Sequence, residues 1–183
     1  MSSKEIILEK VDKLFAQVGY KNVTMRNISS ESKTSTGSIY HFFKKGKSEI
    51  ALTILENYYQ EVINGFNSII NKKVFDLSMQ ECVQELIDLF VKLNSKYQSS
   101  PELQKVSLGK AGKDIQDKIQ NEIVNKFSFM IKLKCPNLLD YEIELKSKIC
   151  CILCDRIFEE WENSHEDAII VEMKKAVISY LQT

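Results

Sequence analysis

Glycine and proline are scarce in this chain, with 6 and 2 among 183 residues. Long stretches run without a breaker, which argues against a turn-rich β protein and for an all-helical one. No apolar run approaches the roughly 20 residues needed to cross a bilayer. The opening MSSKEIILEK lacks the long apolar core and small-residue cleavage site of a secretory leader. The expectation is a cytoplasmic protein with no membrane partner. Glycine loops that cradle phosphate, and the settings that activate a serine or cysteine nucleophile, are also missing, so no enzyme and no cofactor are expected. Glu162-x-x-His165 is a single copy of a spacing that helical di-iron sites need twice, together with further carboxylates. With only two histidines, no metal site is expected.

Charge is present in plenty but unevenly spread. Residues 1–47 hold nine Lys or Arg against four acids, a balance of +5; the remainder holds 16 against 21, a balance of −5. A basic beginning on an acidic remainder suits a protein that meets phosphate with one part only. Five cysteines, at 82, 135, 150, 151 and 154, are an odd number in a chain without a leader and are read as reduced thiols.

Helical periodicity and punctuation divide the chain. Ile6, Ile7, Val11, Leu14 and Phe15 repeat as one face of a helix over 3–18, and Gly19 follows where a stop belongs. Thr24 is placed to cap a second helix over 25–32, with Met25 and Ile28 inward. Lys33 and Thr34 make a turn, and Ser35 caps a third helix ending near Phe42, with Ile39, Phe42 and Phe43 inward. A long helix is expected over 47–71, followed by helices at 78–97, 102–110, 113–134, 139–163 and 166–182. Ser99-Ser100-Pro101 and Cys135-Pro136-Asn137 mark breaks between them. The fold class is therefore all-α, divided into residues 1–47 and 48–183.

The segment from Thr24 to Lys47 carries the function. A two-turn helix is marginal alone, so the third helix must be held by packing against the first two, which leaves its front free. Ser35, Thr36, Gly37 and Ser38 there are small, so a backbone can approach a duplex; their hydroxyls can bond base edges, and the Thr36 methyl can touch a thymine methyl. Tyr40 and His41, one turn on, and Thr24, Arg26, Lys44, Lys45 and Lys47 around the rim suit phosphate. This arrangement predicts a helix-turn-helix that binds double-stranded DNA.

The run Phe15…Gly19-Tyr20…Val23-Thr24-Met25…Ile28…Ser35-Thr36-Gly37-Ser38-Ile39-Tyr40-His41-Phe42-Phe43…Lys47 resembles the DNA-binding domain of the TetR (tetracycline-repressor-like) family over about the first 50 residues. The resemblance implies an all-α homodimer with a three-helix DNA-binding domain at 1–47 and a helical effector-binding and dimerisation domain at 48–183. It implies a transcriptional regulator, a repressor released from a near-palindromic operator by a small-molecule effector. It also suggests base-facing roles for Thr36 and Ser38 and phosphate roles for Tyr40, His41 and Lys47. Two departures stand out. Lys33 occupies a turn position where the family commonly has Gly, and Lys44-Lys45-Gly46-Lys47 is one residue longer than the commonest form, an insertion similar to that of the LmrA/YxaF-like subgroup.

The same layout places a dimer interface on the last two helices, at Ile149, Ile152, Leu153, Ile169, Met173, Val177, Tyr180 and Leu181; the alternative is that this face packs on its own chain. Tyr58, Tyr59, Phe66, Phe90, Phe127 and Trp161 are candidates to line an effector pocket, or else plain core. Cys150 and Cys154 share a helix face and Cys151 adjoins, which admits a redox-sensing regulator as a rival. A helical protein-interaction module without DNA binding is the other.

Overall fold

The computed structural model describes residues 2–72, 76–106, 108–164 and 167–182, without the side chains of 72, 155–164, 167 and 182. The helices are α1 (Ser3–Val18), α2 (Met25–Ser32), α3 (Thr36–Phe42), α4 (Lys47–Lys72), α5 (Met79–Lys96), α6 (Ser100–Lys105), α7 (Gly109–Lys134), α8 (Asp140–Ser164) and α9 (Asp167–Gln182), with one 3-10 turn at Tyr20–Asn22. Among the described residues there is no strand, and no helix is long and apolar enough to cross a membrane.

The chain forms two compact units. The first comprises residues 1–61 and 92–117, the second 62–91 and 118–183, so α4, α5 and α7 each contribute to both. In the first unit, α1 begins with a reciprocal cap: Ser2 Oγ accepts from the Glu5 amide at 3.3 Å and Glu5 Oε2 accepts from the Ser2 amide at 2.8 Å. It ends at Gly19, whose φ of 85° suits a residue without a Cβ. Ile7, Val11 and Phe15 are buried, and with Val23, Ile28, Ile39, Phe43, Ile50 and Ile54 they supply the core of this unit. Ile6, expected on the same face, is exposed.

Asp12 sits among these apolar neighbours, 5% exposed. Its carboxylate accepts from the Gln98 amide (2.9 Å), the Ser99 amide (3.1 Å) and the Ser99 hydroxyl (2.6 Å). Burial raises its pKa above the ordinary carboxylate value, against the pull of those three donors. Glu102 makes a second tie from α6, accepting from the Tyr20 amide at 2.7 Å. The short α6 is thus fastened to both ends of the α1 C-terminal half. It differs from the expected helix at 102–110: Pro101 lies in its first turn, where a missing N–H costs nothing, and is no break. Gly109 then opens α7 with φ +72°, four residues before the expected start.

In the second unit, Phe66 meets Phe127 and Phe90 edge to face, with ring centroids 5.2 and 6.1 Å apart. Gly65 lets α4 approach α5 closely: a Cβ there would lie 2.1 Å from Leu89 Cδ2. Helices α8 and α9 pack on each other. Met173, Val177 and Leu181, expected at a subunit contact, are buried within the chain. Ile149, Leu153, Ile169 and Tyr180 are half-buried. Ile152 is 57% exposed, and lies on one α8 face with Leu145 and Tyr141 at helical spacing, both also exposed.

Replacing Asp12 by Ala removes an acceptor from buried donors. Urea unfolding of Asp12→Ala is expected to show a loss of about 2 kcal/mol, the scale of an unsatisfied buried donor. Lys13→Ala, which breaks only the exposed pair with Glu9, is expected to leave stability within about 0.5 kcal/mol.

Candidate nucleic-acid interface

Local bonds fold residues 24–47 before any partner is considered. Thr24 Oγ1 accepts from the Asn27 amide at 3.2 Å, while Asn27 Oδ1 accepts from the Thr24 amide at 2.9 Å and from its hydroxyl at 2.5 Å. The Thr24 hydroxyl proton, expected to be free for phosphate, is thus committed to Asn27. The turn after α2 is closed by Lys33 in the left-handed conformation (φ 51°, ψ 36°), its amide donating to the Ser29 and Ser30 carbonyls. The lysine takes the conformation that Gly commonly supplies here, at a cost of about 1 kcal/mol. Ser29 Oγ donates to the Thr34 carbonyl (2.7 Å) and Ser32 Oγ to that of Ile28 (2.7 Å), so small hydroxyl residues satisfy the turn internally.

Helix α3 is pinned by Ile39 and followed by Phe43, both essentially without exposure. Its cap is Ser35, whose Oγ accepts from the Ser38 amide at 3.1 Å and pairs with the Ser38 hydroxyl at 2.8 Å. Ser35, Thr36, Gly37 and Ser38 are all exposed, and so are Tyr40 and His41. A Cβ at Gly37 would meet no atom of the chain nearer than Ser35 Oγ, at 4.0 Å. Internal packing therefore does not require glycine there; its smallness leaves room on the outer side. Phe42, expected inward, is 36% exposed, with its ring edge to that of His41.

The basic rim divides into two kinds. Arg26, Lys44 and Lys45 are exposed. Lys47 is half-buried, and its ammonium donates to the carbonyls of Val23 (2.7 Å), Tyr20 (2.9 Å) and Lys21 (3.4 Å) while lying 4.5 Å from the Tyr20 ring centroid. It closes the open carbonyl end of the 3-10 turn.

A three-helix unit presenting a short, small-residue helix front beside a basic rim is the geometry of a helix-turn-helix. Residues 7–54 match the family described as bacterial regulatory proteins, tetR family. Over those residues the chain is similar to the TetR family. It is 38% identical over 74 residues to the uncharacterized HTH-type transcriptional regulator YuxN of Bacillus subtilis, a match covering 40% of this chain and only 24% of YuxN. It is 24% identical over 170 residues to the HTH-type transcriptional regulator LmrA of the same organism, covering 91% of this chain and 71% of LmrA. The fold is that of FadR from Bacillus subtilis, solved in complex with stearoyl-CoA, with a TM-score of 0.77 at 15% identity over 97% of this chain and 96% of that one.

Of the rings considered for an effector pocket, Tyr58 and Tyr59 form a buried pair in the first unit, Tyr58 also meeting Tyr97. Phe66, Phe90 and Phe127 form the cluster of the second unit, and the Trp161 side chain lies outside the described residues. A groove of about 630 Å³ in the first unit is lined by other residues, among them Leu8, Asp12, Ile54 and Tyr97. Sequence reasoning gave no positioning role to Gly46, Asn27 or Glu102, which hold the site by a close approach and by hydrogen bonds. Only the Thr24-x-x-Asn27 spacing offered a signal, as a capping pair.

Cys151 and Cys154 have the Cys-x-x-Cys spacing within α8, and with Cys150 and Cys82 they are buried. Burial pushes the Cys150 thiol up to about 11, so it stays protonated at neutral pH, the opposite of an activated sensing thiol. Ellman titration of the native protein is expected to modify Cys135, the half-buried one, first; the other four are expected to react only in denaturant.

Proposed function

We propose that the chain is a sequence-specific DNA-binding transcriptional regulator that recognises its operator through the front of α3. The observation that carries this is the pairing of a fully buried Ile39 with an outward row Thr36, Gly37 and Ser38, of which only Ser38 is bonded, to the Ser35 cap beside it. Thr36 and Ser38 meet base edges, while Ser35, Tyr40, His41, Arg26, Lys44 and Lys45 hold the backbone. Thr24 and Lys47 belong to the same surface through their bonds to Asn27 and to residues 20–23.

The reading divides the work between residues 1–47, which bind DNA, and 48–183, which pair two copies and receive an effector. Two copies place two α3 fronts about 34–36 Å apart, one turn of duplex, on a near-palindromic operator. The exposed α8 face at Tyr141, Leu145 and Ile152 offers apolar surface for that pairing. An effector in the second part acts as a release signal only if it prefers the arrangement that does not fit DNA. The Phe66–Phe90–Phe127 cluster suits an apolar one, and FadR shows that this fold admits an acyl-CoA. The chain works by binding rather than by catalysis, in the cytoplasm with its DNA.

Selection from a random duplex library tests the reading. The full chain is expected to enrich a two-fold symmetric sequence. Tyr40→Ala is expected to weaken binding to every sequence, and Thr36→Ala to change the preferred base at one position of each half-site by about 1–3 kcal/mol. A library that emerges unenriched contradicts the proposal.

A further inference from the structure

The groove of the first unit, about 630 Å³, has the size of a small-molecule site. Helix α1 supplies one wall with Glu5, Leu8, Glu9 and Asp12, whose spacing is that of a single helix face. Ile54 of α4 and the Tyr97 ring, just beyond α5, complete an apolar lining with Leu8. All of these belong to the first unit, and none is part of the Phe66–Phe90–Phe127 cluster of the second.

The charges of the groove do not balance. Lys13 Nζ lies 2.9 Å from Glu9 and Lys96 Nζ 2.5 Å from Glu61, so each lysine is already answered. Glu5 and Asp12 are in no ion pair among the described residues. Glu5 accepts only from the Ser2 amide. Asp12 is 5% exposed, and a buried carboxylate without a cation is costly. Its bonds come from neutral donors: Oδ1 takes two from Ser99, and Oδ2 takes one from Gln98. An ionised carboxylate has about four acceptor sites, so Oδ2 retains one. An anion in the groove would meet two uncompensated carboxylates. A cation that carries an N–H supplies both the missing charge and the fourth bond.

We propose that this groove binds a protonated organic amine, its ammonium donating to Asp12 Oδ2 and its apolar body lying against Leu8, Ile54 and Tyr97. Glu5, on the same α1 face, adds to the attraction. The site is additional to the operator surface and does not rest on the DNA-binding reading.

A chemical-shift titration of the full chain with phenethylamine tests the site, with phenethyl alcohol and hydrocinnamate as neutral and anionic counterparts of similar shape. Phenethylamine at millimolar concentration is expected to shift the amides of Leu8, Asp12 and Tyr97. It is expected to bind at least about tenfold more tightly than either counterpart, the scale of one hydrogen bond to a charged group. Asp12→Asn is expected to remove that preference, so that amine and alcohol bind alike. Leu8→Lys places an ammonium of the chain itself four residues before Asp12, within reach on the same helix face. That variant is expected to keep the wild-type circular dichroism and to lose amine binding. A wild-type chain that shows no shifts with phenethylamine, shifts a different surface, or binds the alcohol or the carboxylate as tightly overturns the proposal. So does an amine preference retained in Asp12→Asn, or undiminished amine binding in Leu8→Lys. Should Asp12→Asn fail to fold, the wild-type comparison and Leu8→Lys decide. The titration contains no DNA, so its failure leaves the operator reading standing.

Discussion

The burial of Ile39 and Phe43 is the constraint on which the rest depends. Seven residues do not hold a helix in water, since nucleation is unfavourable and few internal bonds form. Helix α3 exists because Ile39 and the adjoining Phe43 are taken out of water, each side chain contributing about 1.5–3 kcal/mol. Anchoring along that side is what leaves Thr36, Gly37 and Ser38 outward. A longer helix with its own stability would need no such anchoring, and its exposed residues would say less about function.

Around that anchor, the polar groups of residues 19–49 satisfy one another in a closed set. Thr24 and Asn27 cap α2, Ser29 and Ser32 close its end, Ser35 caps α3, and Lys47 closes the 3-10 turn. Glu102 and Asp12 extend the set to α6 through the Tyr20 amide and the Ser99 bonds. The side chains left outward include Thr36, Tyr40, His41, Arg26, Lys44 and Lys45, together with Lys21, Ser30, Glu31 and Lys33. The surface is thus defined as much by what the fold consumes as by what it exposes.

The first three helices were legible in the sequence because each boundary has a local chemical cause. Thr24 and Ser35 cap, Gly19 stops, and the apolar spacing of Ile7, Val11 and Phe15 repeats at one face. What was not legible depends on partners distant in the chain. Lys47 looks like any rim lysine until carbonyls 24 to 27 residues away are brought to it. Pro101 can break a helix or begin one, and only the neighbouring turn decides. The α9 stripe shows that a face is buried but not against what, and Met173, Val177 and Leu181 are buried within their own chain.

The most direct test of the account is amide chemical-shift mapping of the full chain on adding its selected operator duplex. The largest changes are predicted at residues 35–38, 40, 41, 44 and 45, with the buried Ile39 side chain unmoved. DNA binding that leaves those amides unchanged while shifting a different surface would contradict it.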